Sequence, residues 1–244
     1  MNYSKFTRNT LITLFTLIGM QVSSYAFRLT PMSQSLKPSK GEKKSIFYIQ
    51  NESKEPIAIQ VSIAKRVMDL HGLETHPEVE DTFIIFPDQL ILKPKDKKAV
   101  SVTYLGSRTP IKEEAYRLIA EQLPIGMNKK NTKTNIKILL KYIAAYYILP
   151  KKIDTKVDLI STSVKIDKNK KIKFKVRNKG SVHEVLNGYR LSVTSKGKSM
   201  ILSDKSLEGF IGENILAGHE RLFEIKSPNK LLAGDQVTLK LLKM

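Results

Sequence analysis

The chain has no cysteine in its 244 residues, and aromatic residues make up only 7% of it. Without cysteine there is no thiol nucleophile, no thiolate zinc site and no disulfide, so an exported form must rely on hydrophobic cores. Histidine is nearly as scarce: His71, His76, His183 and His219 stand alone, and no H-E-x-x-H or comparable ligand spacing occurs. No G-x-S-x-G and no phosphate-cradling glycine loop occurs, and Gly209-Phe210-Ile211-Gly212 fits a turn. Glu78, Glu80 and Asp81 cluster, but without the spaced Asp/Asn pattern of a calcium loop. The reading is non-enzymatic: no catalytic residue, no cofactor and no metal site is expected.

Acidic residues are outnumbered, 23 against 42 basic ones, for a formal net charge of +19. Such a surface could serve an anionic partner. The lysines, however, fall in short groups at expected turns, and no aromatic ladder accompanies them as a single-strand binder requires. A lysine-rich surface that keeps strand edges soluble is the better reading. No nucleic-acid partner is expected.

Long hydrophobic runs are also missing beyond the start. Lys5 and Arg8 precede Leu11 to Met20, and Ser24-Tyr25-Ala26 has the form of a cleavage site, together the pattern of a secretory signal peptide over 1–26. The apolar run is shorter than the roughly 20 residues that span a bilayer. A soluble product starting at Phe27 is expected, with no membrane insertion after cleavage.

What is present is alternation. Ile57, Ile59, Val61 and Ile63 alternate with Ala58, Gln60, Ser62 and Ala64, and Val100, Val102 and Tyr104 do the same. Strands are expected at Phe27–Leu36 (bent or at an edge because of Pro31), Ser45–Gln50, Thr82–Pro87, Gln89–Leu92, Val157–Val164, Ile172–Val176, Tyr189–Val193, Leu222–Ile225 and Val237–Leu242. Glu114–Leu123 has a helix-like composition but reads as a strand between strands, ended by Pro124. Short strands punctuated by Asn-Gly, Lys-Gly and Ala-Gly turns point to β-sandwiches. The expected architecture is all-β, two domains meeting near Pro150: 27–150 and 151–244.

One stretch organises the first domain. From Asn135 to Pro150 no glycine or internal proline interrupts the run, which predicts one long strand. Ile136, Ile138, Leu140, Tyr142, Ala144, Tyr146 and Ile148 form one face. Before it, Gly126–Thr134 is a basic polar loop expected to be mobile. Tyr142 to Leu149 suits a core strand. Ile136, Ile138 and Leu140, beside a loose loop, suit a strand that adds to another protein's sheet, where backbone hydrogen bonds give affinity and alternate side chains fill pockets.

Several short stretches, in order, carry a resemblance. They are Leu29-Thr30-Pro31, Ile49-Gln50-Asn51 with Glu55-Pro56, Phe86-Pro87, and Leu92-Lys93-Pro94. Tyr116-Arg117-Leu118 then leads to Glu121-Gln122-Leu123-Pro124, and Leu140-Lys141-Tyr142 to Leu149-Pro150. Asn178-Lys179-Gly180-Ser181-Val182-His183 and Leu216-Ala217-Gly218 are weaker echoes. No one motif is specific, but the series resembles the periplasmic pilus-assembly chaperones of the chaperone–usher pathway over nearly all of the chain after Ala26.

The resemblance implies two immunoglobulin-like β-sandwich domains in an L-shaped arrangement. It implies a periplasmic chaperone that holds a pilus or fimbrial subunit lacking a strand by donor-strand complementation, then delivers it to an outer-membrane usher. Ile136, Ile138 and Leu140 would be the donor residues. The implied partners are subunits, the usher and, as an open alternative when the chaperone is free, a second copy of itself. Better-known members grip a subunit carboxylate with an Arg on the first strand and a Lys on the last, where this sequence has Ser33 and Ala145. That departure resembles the archaic or alternate branch. Arg117 and Lys141 are the replacement anchors; the competing reading gives Arg117 a structural salt bridge with a residue such as Glu114. The other function class is a secreted immunoglobulin-like adhesive module that binds an anionic glycan or membrane surface.

Overall fold

The computed structural model describes residues 27–124, 138–202 and 204–244. The expected signal segment, the basic loop Gly126–Thr134 and Ile136 lie outside the described residues.

Among the described residues the first half carries eleven strands: β1 (Phe27–Thr30), β2 (Ser33–Leu36), β3 (Lys44–Asn51), β4 (Ile57–Lys65), β5 (Val67–Met68), β6 (Glu74–Thr75), β7 (Phe83–Phe86), β8 (Gln89–Leu92), β9 (Lys97–Tyr104), β10 (Glu114–Leu123) and β11 (Lys141–Ile148). One sheet has the order β1-β3-β9-β7 and the facing sheet β2-β11-β10-β4-β8. The inward residues of both, among them Phe27, Phe47, Ile59, Leu92, Leu118 and Tyr146, form one buried core. This is the physical return on the alternation read in β4 and β9: one face of each strand is removed from water.

The second half carries β12 (Val157–Leu159), β13 (Ser163–Lys165), β14 (Lys171–Asn178), β15 (Glu184–Val185), β16 (Tyr189–Ser195), β17 (Lys198–Ile201), β18 (Asn214–Ile215), β19 (Glu220–Lys226) and β20 (Gln236–Lys243). Its main sheets are β12-β14-β19 and β13-β20-β16-β17, around Phe174, Phe210, Phe223, Leu191 and Leu239. Among the described residues the only helical segments are 3-10 turns of three or four residues. The chain is all-β, as its alternation predicts.

Three expected strands differ in extent. Phe27–Leu36 is two strands, because Pro31 has no N–H to continue the ladder: β1 pairs with β3, and β2 crosses to pair in parallel with β11. Val157–Val164 divides likewise, β12 pairing with β14 and β13 with β20. The long strand expected over Asn135–Pro150 runs, among the described residues, only from Lys141 to Ile148. Ile138 to Leu140 precede it outside any strand.

The two halves repeat one device. β3 and β14 each end on a fully buried asparagine. Asn51 Nδ2 donates to the carbonyls of Glu55, Leu92 and Lys93, and its Oδ1 accepts from the Ser53 N–H and hydroxyl. Asn178 Nδ2 donates to the carbonyls of Val182 and Ile215, and its Oδ1 accepts from the Gly180 N–H. Buried backbone carbonyls need such partners, and one amide ties the strand end to two loops at once.

Candidate functional site

β11 is held on one side along its whole length and on the other along half of it. Its eight residues pair with β10, from Lys141 opposite Glu121 to Ile148 opposite Glu114. On the outer side β2 pairs only with Ala145 to Ile148. Among the described residues, no strand pairs with the outer edge of Lys141 to Ala144. The Ala145 N–H donates outward to the Met32 carbonyl, so by alternation Lys141 and Ile143 also point their backbone groups at that open edge.

The residues leading into this edge are apolar. Ile138 is 73% exposed and Leu139 44% exposed. Leu140 is only partly exposed: it packs against the first core, and its carbonyl accepts the Gln122 N–H at 2.9 Å. Of the three donor residues expected from the sequence, Ile138 is free to meet a partner, Leu140 is half engaged at home, and Ile136 lies outside the described residues. Of Tyr142 to Leu149, expected as core, Ala144, Tyr146 and Ile148 are buried in the first core and Tyr147 on the outer face, while Tyr142 is partly buried and Ile143 is exposed.

The outer face of β10 and β11 is the second part of the site. Ala115 and Tyr147 pack there with Met68 and with Leu216 of the second half, and Ala145 and Leu149 border them. Arg117 lies on the same face, opposite Ala145 on one side and Ala64 on the other. Its guanidinium grips Glu74 of β6, Nε to Oε2 at 2.9 Å and Nη2 to Oε1 at 2.7 Å. The salt bridge weighed for Arg117 therefore exists, with Glu74 rather than Glu114. Glu114 instead accepts the hydroxyls of Tyr104 and Tyr116. Lys141 pairs with Glu121 at 3.0 Å on the exposed strand face. Arg117 and Lys141 share a face but stand four residues apart, about 13 Å along the strand.

Sequence reasoning missed the second cation at Glu74. Arg66, in the link from β4 to β5, donates from Nε at 2.9 Å and from Nη2 at 2.5 Å to Glu74 Oε1, while its Nη1 donates to the Tyr147 hydroxyl at 2.9 Å. His76 Nε2 stands 3.3 Å from Glu74 Oε2. Burial pushes the Glu74 carboxyl up, but Arg117 and Arg66 outweigh it and hold it at about 2. No sequence signal joins Arg66, Glu74 and Arg117, because only the β5–β6 hairpin folding over β10 brings them together.

The hairpin also reaches the second half. The Leu222 N–H donates to the Leu70 carbonyl at 2.7 Å, and Arg221 Nη2 donates to the His71 carbonyl at 3.2 Å. Beside it, His183 Nδ1 lies 2.8 Å from both oxygens of the buried Glu113, and the Glu113 N–H donates to the Ser181 carbonyl.

Comparison with known proteins bears on this geometry. The family model described as pili and flagellar-assembly chaperone, PapD N-terminal domain, matches residues 31–154. A search of curated proteins finds no match. Among solved structures, the chain resembles the class 5 fimbriae chaperone CfaA at 17% identity, covering 88% of this chain and 98% of that one, with a TM-score of 0.57. It resembles a chain in the Salmonella enterica SafA pilin–SafB chaperone complex at 13% identity, with coverage of 90% and 97% and a TM-score of 0.55. A chain of the CsuC–CsuE chaperone–tip subunit pre-assembly complex of Acinetobacter baumannii matches at 15% identity, with coverage of 81% and 89% and a TM-score of 0.53. At these identities the structural likeness carries the fold.

Proposed function

The chain belongs to the family of pili and flagellar-assembly chaperones, and from that membership we propose that it captures a pilus or fimbrial subunit by strand addition at β11. An assembly chaperone of this family is not an enzyme. The observation that carries the strand-addition reading is the open outer edge of Lys141 to Ala144, continued by exposed Ile138 and Leu139. An unpaired edge with an apolar approach is a liability unless a partner covers it. A subunit sheet missing one strand is a partner that would.

In this reading Ile136, Ile138 and Leu140 enter the subunit's groove on alternate positions, and the backbone of the same stretch completes its ladder. Leu140 turns from the chaperone's own core toward the partner. A subunit carboxylate is held at Arg117, with Lys141 as a second cation nearer the donor stretch. The functional units are 27–150 and 151–244. With 1–26 removed on export the chaperone works in the periplasm and hands its subunit to an outer-membrane usher. Binding the folded subunit and not its unfolded form stabilises it by mass action.

The test is co-expression with a candidate subunit followed by purification of the complex. A one-to-one complex is expected, and Ile138→Asp should abolish it while the free chaperone stays folded. Capture that survives Ile138→Asp, or a free protein unfolded by it, overturns the donor role. Salt-sensitive binding to an anionic polymer, with no subunit captured, would favour the adhesive module instead.

A further inference from the structure

We propose that Arg66 and Arg117 form a carboxylate receptor that the free chain fills with its own Glu74, so that Glu74 is a stand-in which an external carboxylate can displace. The assignment of that external carboxylate to a captured partner rests on the reading above; the receptor itself does not.

The two sides of the contact are built differently. Arg117 sits in the middle of β10, a ten-residue strand paired along both edges with β4 and β11. Arg66 is fixed by the Tyr147 hydroxyl, and its own N–H donates to the Ala115 carbonyl at 2.9 Å. The receptor is therefore part of the rigid sheet. Glu74 belongs to β6, which pairs with β5 over two residues only. A carboxylate on so short a ladder can leave by side-chain rotation without disturbing the sheet beneath.

Charge and access agree. Two guanidiniums and His76 converge on one carboxylate, so the cluster carries an excess of positive charge. Fork-shaped guanidiniums with parallel N–H groups match a carboxylate and hold it in a fixed plane. The Glu74 side chain is 21% exposed while that of Arg66 is 5% exposed. Arg66 thus forms the floor, while Glu74 and Arg117, whose side chain is 17% exposed, both reach solvent. Removing Glu74 would uncover a prepared anion site facing solvent rather than a closed cavity. Arg66 and Arg117 converge on one point, whereas Lys141 pairs with Glu121.

The experiment replaces the carboxylate and asks whether a small one takes its place. Glu74→Ala and Glu74→Gln are melted in sodium acetate, in sodium chloride of equal ionic strength, and in chloride supplemented with acetamide. Removing the carboxylate between the buried Arg66 and the half-buried Arg117 is destabilising. In both variants acetate should raise Tm by several degrees in a saturable way, while chloride and acetamide should not. The wild type, already filled, should show no such difference, and adding Arg117→Ala to Glu74→Ala should abolish the acetate response. A Glu74→Ala protein recovered folded only in acetate also supports the receptor. No acetate-specific rise in either variant, or an equal rise in the wild type, overturns it. No pilus subunit is needed, so this test can fail while subunit capture stands, and the reverse.

Discussion

Tyr147 of β11 stacks on His183 of the second half, with ring centroids 4.2 Å apart and ring planes inclined by 13°. The same tyrosine's hydroxyl accepts from Arg66, and His183 rests against Glu113, which is buried. A continuous line of contacts thus runs from Glu74 through Arg66, Tyr147 and His183 to Glu113. It joins the strand of the proposed partner site to the second half of the chain.

That line predicts graded losses at Tyr147. Tyr147→Phe keeps the ring stack but leaves a buried Arg66 N–H without its acceptor, at a cost of about 1.5–3 kcal/mol for a hydrogen bond to a charged group. Tyr147→Ala removes the ring as well and should cost about 3–5 kcal/mol. Urea unfolding of the two variants would check the order; no loss in Tyr147→Phe would mean that the hydroxyl contributes nothing.

The paired asparagines make a second prediction. Asn51→Ala and Asn178→Ala each strand buried backbone carbonyls and donors, and each should cost more than about 2 kcal/mol. Calorimetry would reveal whether each variant shifts a separate transition, as two cores with their own asparagine ties require. Loss of less than about 0.5 kcal/mol in either would refute the tie.

Ile138, just before β11, and Tyr146, within it, should behave oppositely. Tyr146 is fully buried and its hydroxyl donates to Ser45 Oγ at 2.9 Å. Tyr146→Ala should cost about 3–5 kcal/mol, while Ile138→Asp at an exposed position should stay within about 0.5 kcal/mol. Chemical denaturation of the free chaperone measures both.

Glu74 predicts an acid limb in stability. Its carboxyl is held at about 2, against an ordinary value of 4.5. As pH falls, the unfolded chain takes up this proton before the folded one does. The contribution of Glu74 is therefore present in full above about pH 4.5 and is lost as the pH falls toward 2. The Tm difference between wild type and Glu74→Gln should be constant near neutrality and close over that interval. A difference that stays open down to about pH 2 would refute the assignment to Glu74.

Much of the fold is written locally. In β9 the period of two already states which residues are buried, and in β4 it misses only Ala58 and Ala64, which are buried on the other face. β10 is an instructive exception: its Ala, Leu and Glu favour a helix, yet both of its faces are covered, by the first core and by the Met68–Tyr147–Leu216 cluster. Tertiary burial outweighs a propensity difference of at most about 0.7 kcal/mol per residue. The break at Pro31 was legible; the crossing from one sheet to the other was not, since it depends on which partner edge each half meets.

The sequence by itself determined the all-β class, most strand positions and the apolar approach to β11, because these follow from periodicity and residue chemistry over a few neighbours; the candidacy of Arg117 came from the family resemblance. Only the tertiary structure decided that β2 covers half of β11 and, among the described residues, leaves Lys141 to Ala144 open, and that Glu74 answers Arg117 across 43 positions. Edge pairing and charge pairing are set by which distant segments come within a few ångströms of each other. Local spacing carries no record of that choice.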